Sequence, residues 1–176
     1  TVTNAADGIF NAFQLHPLVG LGEWHGMAQE LDFYSKLIRD PRFAGQVGNV
    51  VMEMGNAAEQ ATVDRYVNGE NVPYAQLRKV WADTVGAAPT AWEIGTMNVY
   101  ANIRTVNKNL PPDKRIKVWL SDPPVDWSKI NSKAEWTQIV DQREVYPADL
   151  INREILVKGK KAFVIYGTNH LSDFSH

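Results

Sequence analysis

Residues 17–25 read PLVGLGEWH and residues 162–170 read AFVIYGTNH: twice an apolar run reaches a glycine, and a histidine stands three residues later. The pairs are Gly22 with His25 and Gly167 with His170. Short, almost uninterrupted apolar runs of this kind read as strands covered on both faces. Glycine has no side chain to clash, so it lets the backbone turn sharply at a strand end. His25 and His170 are then expected beyond two strand ends at equivalent places. Two further apolar runs close on acids: 47–54 carries Glu53, and 115–121 leads into Asp122 and two prolines.

Helical stretches separate these runs. They are expected at 4–15, 27–38, 57–68, 74–85, 90–109 and 144–158, with loop and helix across 126–141. Leu31, Tyr34, Ser35 and Ile38 recur at helical spacing, and Asp40-Pro41 ends that helix. Thr90 with Glu93 three residues on forms a capping box. Strands at 17–23, 47–54, 115–121 and 160–167 alternating with helices predict one α/β domain over 1–176, a mainly parallel sheet flanked by helices. About three helices fill 57–110 between the second and third strands, more than a crossover needs. Part of that insertion is expected to cap the C-terminal strand ends, with Trp81, Trp92 and, after the third strand, Trp127 nearby.

Composition removes several classes. A formal net charge of −2 with scattered Lys and Arg argues against nucleic-acid binding. The chain has no Cys, so disulfides, thiolate metal sites and a cysteine nucleophile are absent together. No apolar run approaches the ~18 residues of a membrane span. There is no Gly-x-Ser-x-Gly elbow, phosphate-binding glycine loop or His-Glu-x-x-His motif. The chain opens at Thr1 without Met and stops six residues after His170. A processed start, further C-terminal sequence and an exported, periplasmic or extracellular protein are the expectations.

Each candidate side chain has a functional and a bland reading. His25 suits a general base or metal ligand, or is a surface histidine. Glu23 would point to the same side as His25 in extended backbone and orient it, or cap the following helix. Glu53 ends an apolar strand, where a carboxylate is costly unless paired, or it simply reaches solvent. His170 repeats the logic of His25. Asp122 is a site acid or a turn former. Arg143, followed by Glu144, binds a substrate anion or forms a helix-start ion pair. Trp24, Trp81 and Trp92 line a core or a cleft, Trp24 being the one expected to bind substrate. His16 sits at the opposite end of its strand, and His176 is terminal.

Four blocks in order, Gly22-Glu23-Trp24-His25-Gly26, Glu53-Met54-Gly55, Arg143-Glu144 and Tyr166-Gly167-Thr168-Asn169-His170-Leu171, resemble the superfamily of erythromycin esterases, ChaN-like proteins and Tiki proteins. The resemblance spans nearly the whole chain. It implies an α/β fold with the site at the strand C-termini. Its members differ: the esterases open a lactone with His and Glu activating water, Tiki proteins are metal-dependent proteases, and ChaN-like proteins bind haem iron. By position, His25 and Glu53 would activate water, His170 would be the second histidine, and Glu23 a supporting acid or ligand. The spacing in Gly-Glu-Trp-His is nearer to the ChaN-like and Tiki members.

The leading expectation is a hydrolase of an ester, lactone or amide in a small-molecule or peptide substrate. His25, Glu53 and His170 would be catalytic, and Arg143, Asp122 and Trp24 would bind substrate. Glu23, His25, Glu53 and His170 could instead hold a divalent Mn, Co, Zn or Fe ion. The non-enzymatic alternative is a haem- or iron-binding uptake protein.

Overall fold

A computed structural model describes residues 4–86 and 93–172 of the chain. Strands β1 (Leu18–Glu23), β2 (Asn49–Asn56), β3 (Lys117–Asp122) and β4 (Ala162–Gly167) form one parallel sheet in the order β1-β4-β2-β3. The α/β class with a parallel sheet is therefore the fold of this chain.

Side chains leave the strands alternately, and the two faces collect different partners. Val50, Met52, Val118, Leu120, Phe163 and Ile165 join the larger core. It is covered by α1 (Ala5–Leu15), α2 (Ala28–Arg39), α3 (Pro41–Gln46), α4 (Gln60–Val67), α5 (Tyr74–Leu77), α6 (Lys79–Ala82) and α7 (Glu93–Asn107). Val51, Trp119, Val164 and Tyr166 face the other way. There they pack on Leu150 and Ile155 of α9 (Val145–Ile151) and its π-helical continuation Asn152–Leu156. A short α8 (Lys133–Val140) precedes α9, and α10 (Thr168–Leu171) follows β4. The chain thus leaves β2 over one face and β3 over the other. A crevice for ligands opens at the carboxyl ends of such strands.

Local differences from expectation have local causes. Asp40-Pro41 ends α2 but also starts α3, because Asp40 accepts from the Arg42 N–H and proline is suited to the first helical turn. The stretch at 74–85 is two short helices broken at Arg78. Helices of the insertion bury Val63, Trp81 and Tyr100 against the sheet face. Trp81 is core, stacked on Tyr100 with centroids 6.0 Å apart. At the strand ends themselves, the described part of the insertion contributes the turn at 83–86. The expected capping pair of Thr90 and Glu93, Trp92 and His176 involve 87–92 and 173–176, outside the described residues.

Candidate active site at the strand ends

Glu53 is aimed by an irregularity in β2. Regular pairing with β3 and β4 runs to Met52, and the next β2–β3 pair is Asn56 with Asp122. Extra residues on one strand bend it and redirect a side chain. Gly55 permits the bend, since a Cβ there would fall 2.5 Å from a Leu120 methyl. Glu53 then turns into the sheet edge, 4% exposed.

A buried carboxylate needs partners, and Glu53 has three. Its Oε2 accepts the Gly167 N–H at 2.5 Å. Its Oε1 accepts from Arg143 Nη2 at 3.1 Å and lies 3.2 Å from His170 Nε2. The other His170 nitrogen, Nδ1, is 2.6 Å from Glu144 Oε1. The ring meets Tyr166 edge-on, with centroids 5.8 Å apart. Tyr166 is fixed in turn by Ser121, whose hydroxyl is 2.5 Å from the phenol and donates to the Met52 carbonyl at 2.7 Å.

Arg143 bridges two acids. Its Nε lies 3.6 Å from Asp122 Oδ1, and Asp122 Oδ2 accepts the Val85 N–H at 2.5 Å. Burial pushes the Asp122 carboxyl up to about 6, against the pull of the Val85 N–H and of Arg143. Asp122 is therefore a buried member of this cluster. Arg143 and Glu144 do not pair with each other in the interactions seen: one reaches Glu53 and Asp122, the other His170.

On the β1 side, Glu23 Oε2 lies 2.9 Å from His25 Nδ1, with Glu23 5% exposed. Burial raises the Glu23 carboxyl, and His25 opposes the rise. Glu23 does not cap α2. Glu30 instead reaches back and accepts the Trp24 N–H at 2.7 Å. That anchors the backbone of Trp24, whose side chain is 67% exposed at the rim.

The paired glycines serve close approach rather than a turn. Neither Gly22 nor Gly167 adopts positive φ; the turning residue of the first block is Gly26, at φ 91°. A Cβ on Gly22 would fall 2.8 Å from the Thr168 hydroxyl of the second block. One on Gly167 would fall 3.2 Å from His25 Nε2 of the first and 3.1 Å from Glu53 Oε2. The blocks are also out of step by one residue, Gly167 pairing with Glu23 rather than Gly22. His25 occupies a turn, whereas His170 rides on α10, so the two histidines are not equivalent.

Two adjoining clefts share His25 and His170. One, of about 140 Å³, adds Glu53, Met54, Thr84, Gly86, Asp122 and Arg143. The other, of about 270 Å³, adds Glu23, Trp24, Gly167, Thr168 and Asn169. Sequence reasoning missed Ser121, Tyr166, the turn at 84–86 and Asn56. Asn56 is 2% exposed and donates to the carbonyls of Asp83 and Val125, tying that turn to β2. Only its position at the end of an apolar strand, where a polar side chain must find partners, hinted at this.

The expected metal set does not assemble. Both Glu53 oxygens already accept from donors, and the Arg143 cation stands beside them. Among the described residues no group of three or more His, Asp or Glu side chains is placed to hold a metal ion. Most residues lining the two clefts are charged or polar.

No protein-family description and no curated protein matches the chain. A solved structure, that of the type III effector HopBA1, is similar with a TM-score of 0.57 at 14% identity, over 94% of this chain and 72% of that one. At that identity the likeness speaks for the α/β fold alone.

Proposed function

We propose that this chain is a hydrolase of an ester, lactone or amide bond in a small-molecule or peptide substrate, with His25 as the base. The observation that carries the reading is the Glu23–His25 contact of 2.9 Å. A buried carboxylate at Nδ1 fixes the ring orientation, leaves Nε2 as proton acceptor and stabilises the imidazolium that forms. Water attacks the carbonyl carbon while its proton passes to His25 Nε2. The tetrahedral intermediate then collapses, the C–O or C–N bond breaks, and the leaving group takes up a proton.

Glu53 serves this reaction as an organiser. With donors on both oxygens it is poorly placed to take a proton from water, but it holds Arg143, His170 and the end of β4 in one arrangement. His170 faces a carboxylate at each ring nitrogen. Arg143 is the cation beside the cleft able to balance a developing oxyanion, with His170 held next to it, and the His25 imidazolium returns its proton to the leaving group. The exposed indole of Trp24 would border the bound substrate.

The test is a panel of chromogenic esters, lactones and anilides, assayed in chelator with wild type and His25→Ala. Turnover by wild type, falling ~10²–10⁴-fold in the variant at unchanged melting temperature, supports the reading. A panel left intact by wild type, or equal turnover by both proteins, contradicts it.

A further inference from the structure

Regular pairing of β2 lapses at 53–55, and backbone groups there must find other partners. Two hydroxyls take over, one on either side of Glu53. The Ser121 hydroxyl donates to the Met52 carbonyl at 2.7 Å. The Tyr100 hydroxyl donates to the Met54 carbonyl at 2.8 Å. They come from opposite faces of the sheet. Tyr100 belongs to α7 and to the larger core, fully buried and stacked on Trp81. Ser121 follows Leu120 along β3, so its side chain leaves on the other face, where it meets Tyr166. Ser121 has one hydroxyl proton and commits it to Met52, so the Tyr166 phenol donates to Ser121 Oγ. Gly55 leaves room for the other phenol: a Cβ there would stand 3.2 Å from the Tyr100 oxygen.

The Met52 carbonyl lies in the peptide plane that leads into Glu53, and the Met54 carbonyl in the next plane but one. A peptide unit is planar, so holding its carbonyl fixes the whole unit. With the backbone held before and after Glu53, its side chain leaves in one direction, into the site. We propose that Tyr100 and Ser121 are positioning residues that act through Glu53. Their hydroxyls hold the β2 irregularity so that one carboxylate meets the Gly167 N–H, Arg143 and His170 together. Neither hydroxyl touches the Glu53 carboxylate, and Tyr100 lines neither cleft. The insertion between β2 and β3 thus serves the site through the backbone of β2. The inference concerns the placement of Glu53 and rests on the hydrolase reading only for its consequence in rate.

The experiment is nuclear magnetic resonance of the intact, isotope-labelled chain, reading the Gly167 amide proton. That N–H faces a carboxylate oxygen at 2.5 Å, and a short charge-assisted bond moves its resonance downfield. Tyr100→Phe and Ser121→Ala each remove one hydroxyl. Ile103→Val is the control: it takes a methyl group from the same helix and core but no hydrogen bond. Melting temperatures record the stability lost by each. The proposal expects the Gly167 resonance to move upfield in both hydroxyl variants and to stay in place in Ile103→Val. Tyr100→Phe is the decisive variant, because it acts from the face opposite Tyr166. A resonance unmoved in either hydroxyl variant, or moved as far by Ile103→Val, overturns the proposal; the hydroxyls then only satisfy buried carbonyls. For an ester that wild type hydrolyses, kcat should fall about 10-fold or more in the hydroxyl variants with KM little changed. The resonance is read without substrate, so it decides the proposal even where wild type leaves every ester intact and the hydrolase reading fails.

Discussion

Gly167 and His25 are packed so closely that a Cβ on Gly167 would stand 3.2 Å from the His25 Nε2 and 3.1 Å from Glu53 Oε2, tighter than ordinary van der Waals contact. The glycine of one block makes room for the histidine of the other, and Gly22 does the same for Thr168. The repetition in the sequence is thus a reciprocal packing requirement at one sheet edge.

Gly167→Ala should therefore displace His25 or Glu53 by a few tenths of an ångström while leaving the core intact. Misplacement of reacting groups is costly in rate, and turnover is expected to fall on the order of 10-fold to 10²-fold. Gly22→Ala pushes instead on the backbone of Thr168, with Cα 3.2 Å away. Its main effect should be on stability, a loss of about 1–3 kcal/mol. Thermal melting and steady-state kinetics on the two variants separate the effects, and the reverse pattern would refute this division.

Glu23→Gln keeps the shape of the side chain and removes the charge facing His25. The imidazolium formed during proton abstraction loses its partner, so kcat should drop ~10²-fold or more with KM little changed. A rise in KM at constant kcat would place Glu23 in substrate binding instead.

Asp122 gives a pH signature. Its carboxyl is held at about 6 against an ordinary 3.8, chiefly by burial. Well below pH 3.8 it is neutral folded or unfolded and costs nothing. Between about pH 4 and 6 the unfolded chain gives up the proton while the folded state keeps it, so stability falls by up to ~3 kcal/mol and levels off above pH 6. Asp122→Asn still accepts the Val85 N–H without that charge. The variant should be more stable than wild type at pH 7.5 and converge with it near pH 3. Denaturant titrations at the two pH values check this, and a variant less stable at pH 7.5 would reverse the sign.

Arg143→Met leaves Glu53 and Asp122 buried without their shared cation. Removing one member of a buried ion pair costs 3–5 kcal/mol in general, and the partial exposure of Arg143 reduces this to about 2–3 kcal/mol at pH 7.5. The loss should shrink toward pH 4 as Asp122 takes up a proton. Arg143→Met/Asp122→Asn should recover part of it, measured by the same titrations.

The sequence carried the four strands and their order along the chain, because the apolar runs within 17–23, 47–54, 115–121 and 160–167 have no competing period. It did not show that β4 lies between β1 and β2, since parallel pairing is decided by helices packing on two faces. Glu23, His25, Glu53, Asp122, Arg143 and His170 could be listed as candidates because polar side chains at the ends of buried strands stand out. That Arg143 bridges Glu53 and Asp122 was hidden by long sequence separation, 90 residues in the first case. The π-helical turn at Asn152–Leu156 and the β2 irregularity at 53–55 have no sequence period of their own and surface only through packing.

The most direct test of the account is kcat/KM for one hydrolysed ester or amide, measured in chelator with wild type, His25→Ala and Glu23→Gln. The account predicts that chelation leaves the wild-type rate and melting temperature unchanged, that Glu23→Gln is slowed at unchanged KM, and that His25→Ala is inactive though folded. Wild-type activity abolished by chelation and restored by a divalent metal, or full activity in His25→Ala, would contradict it.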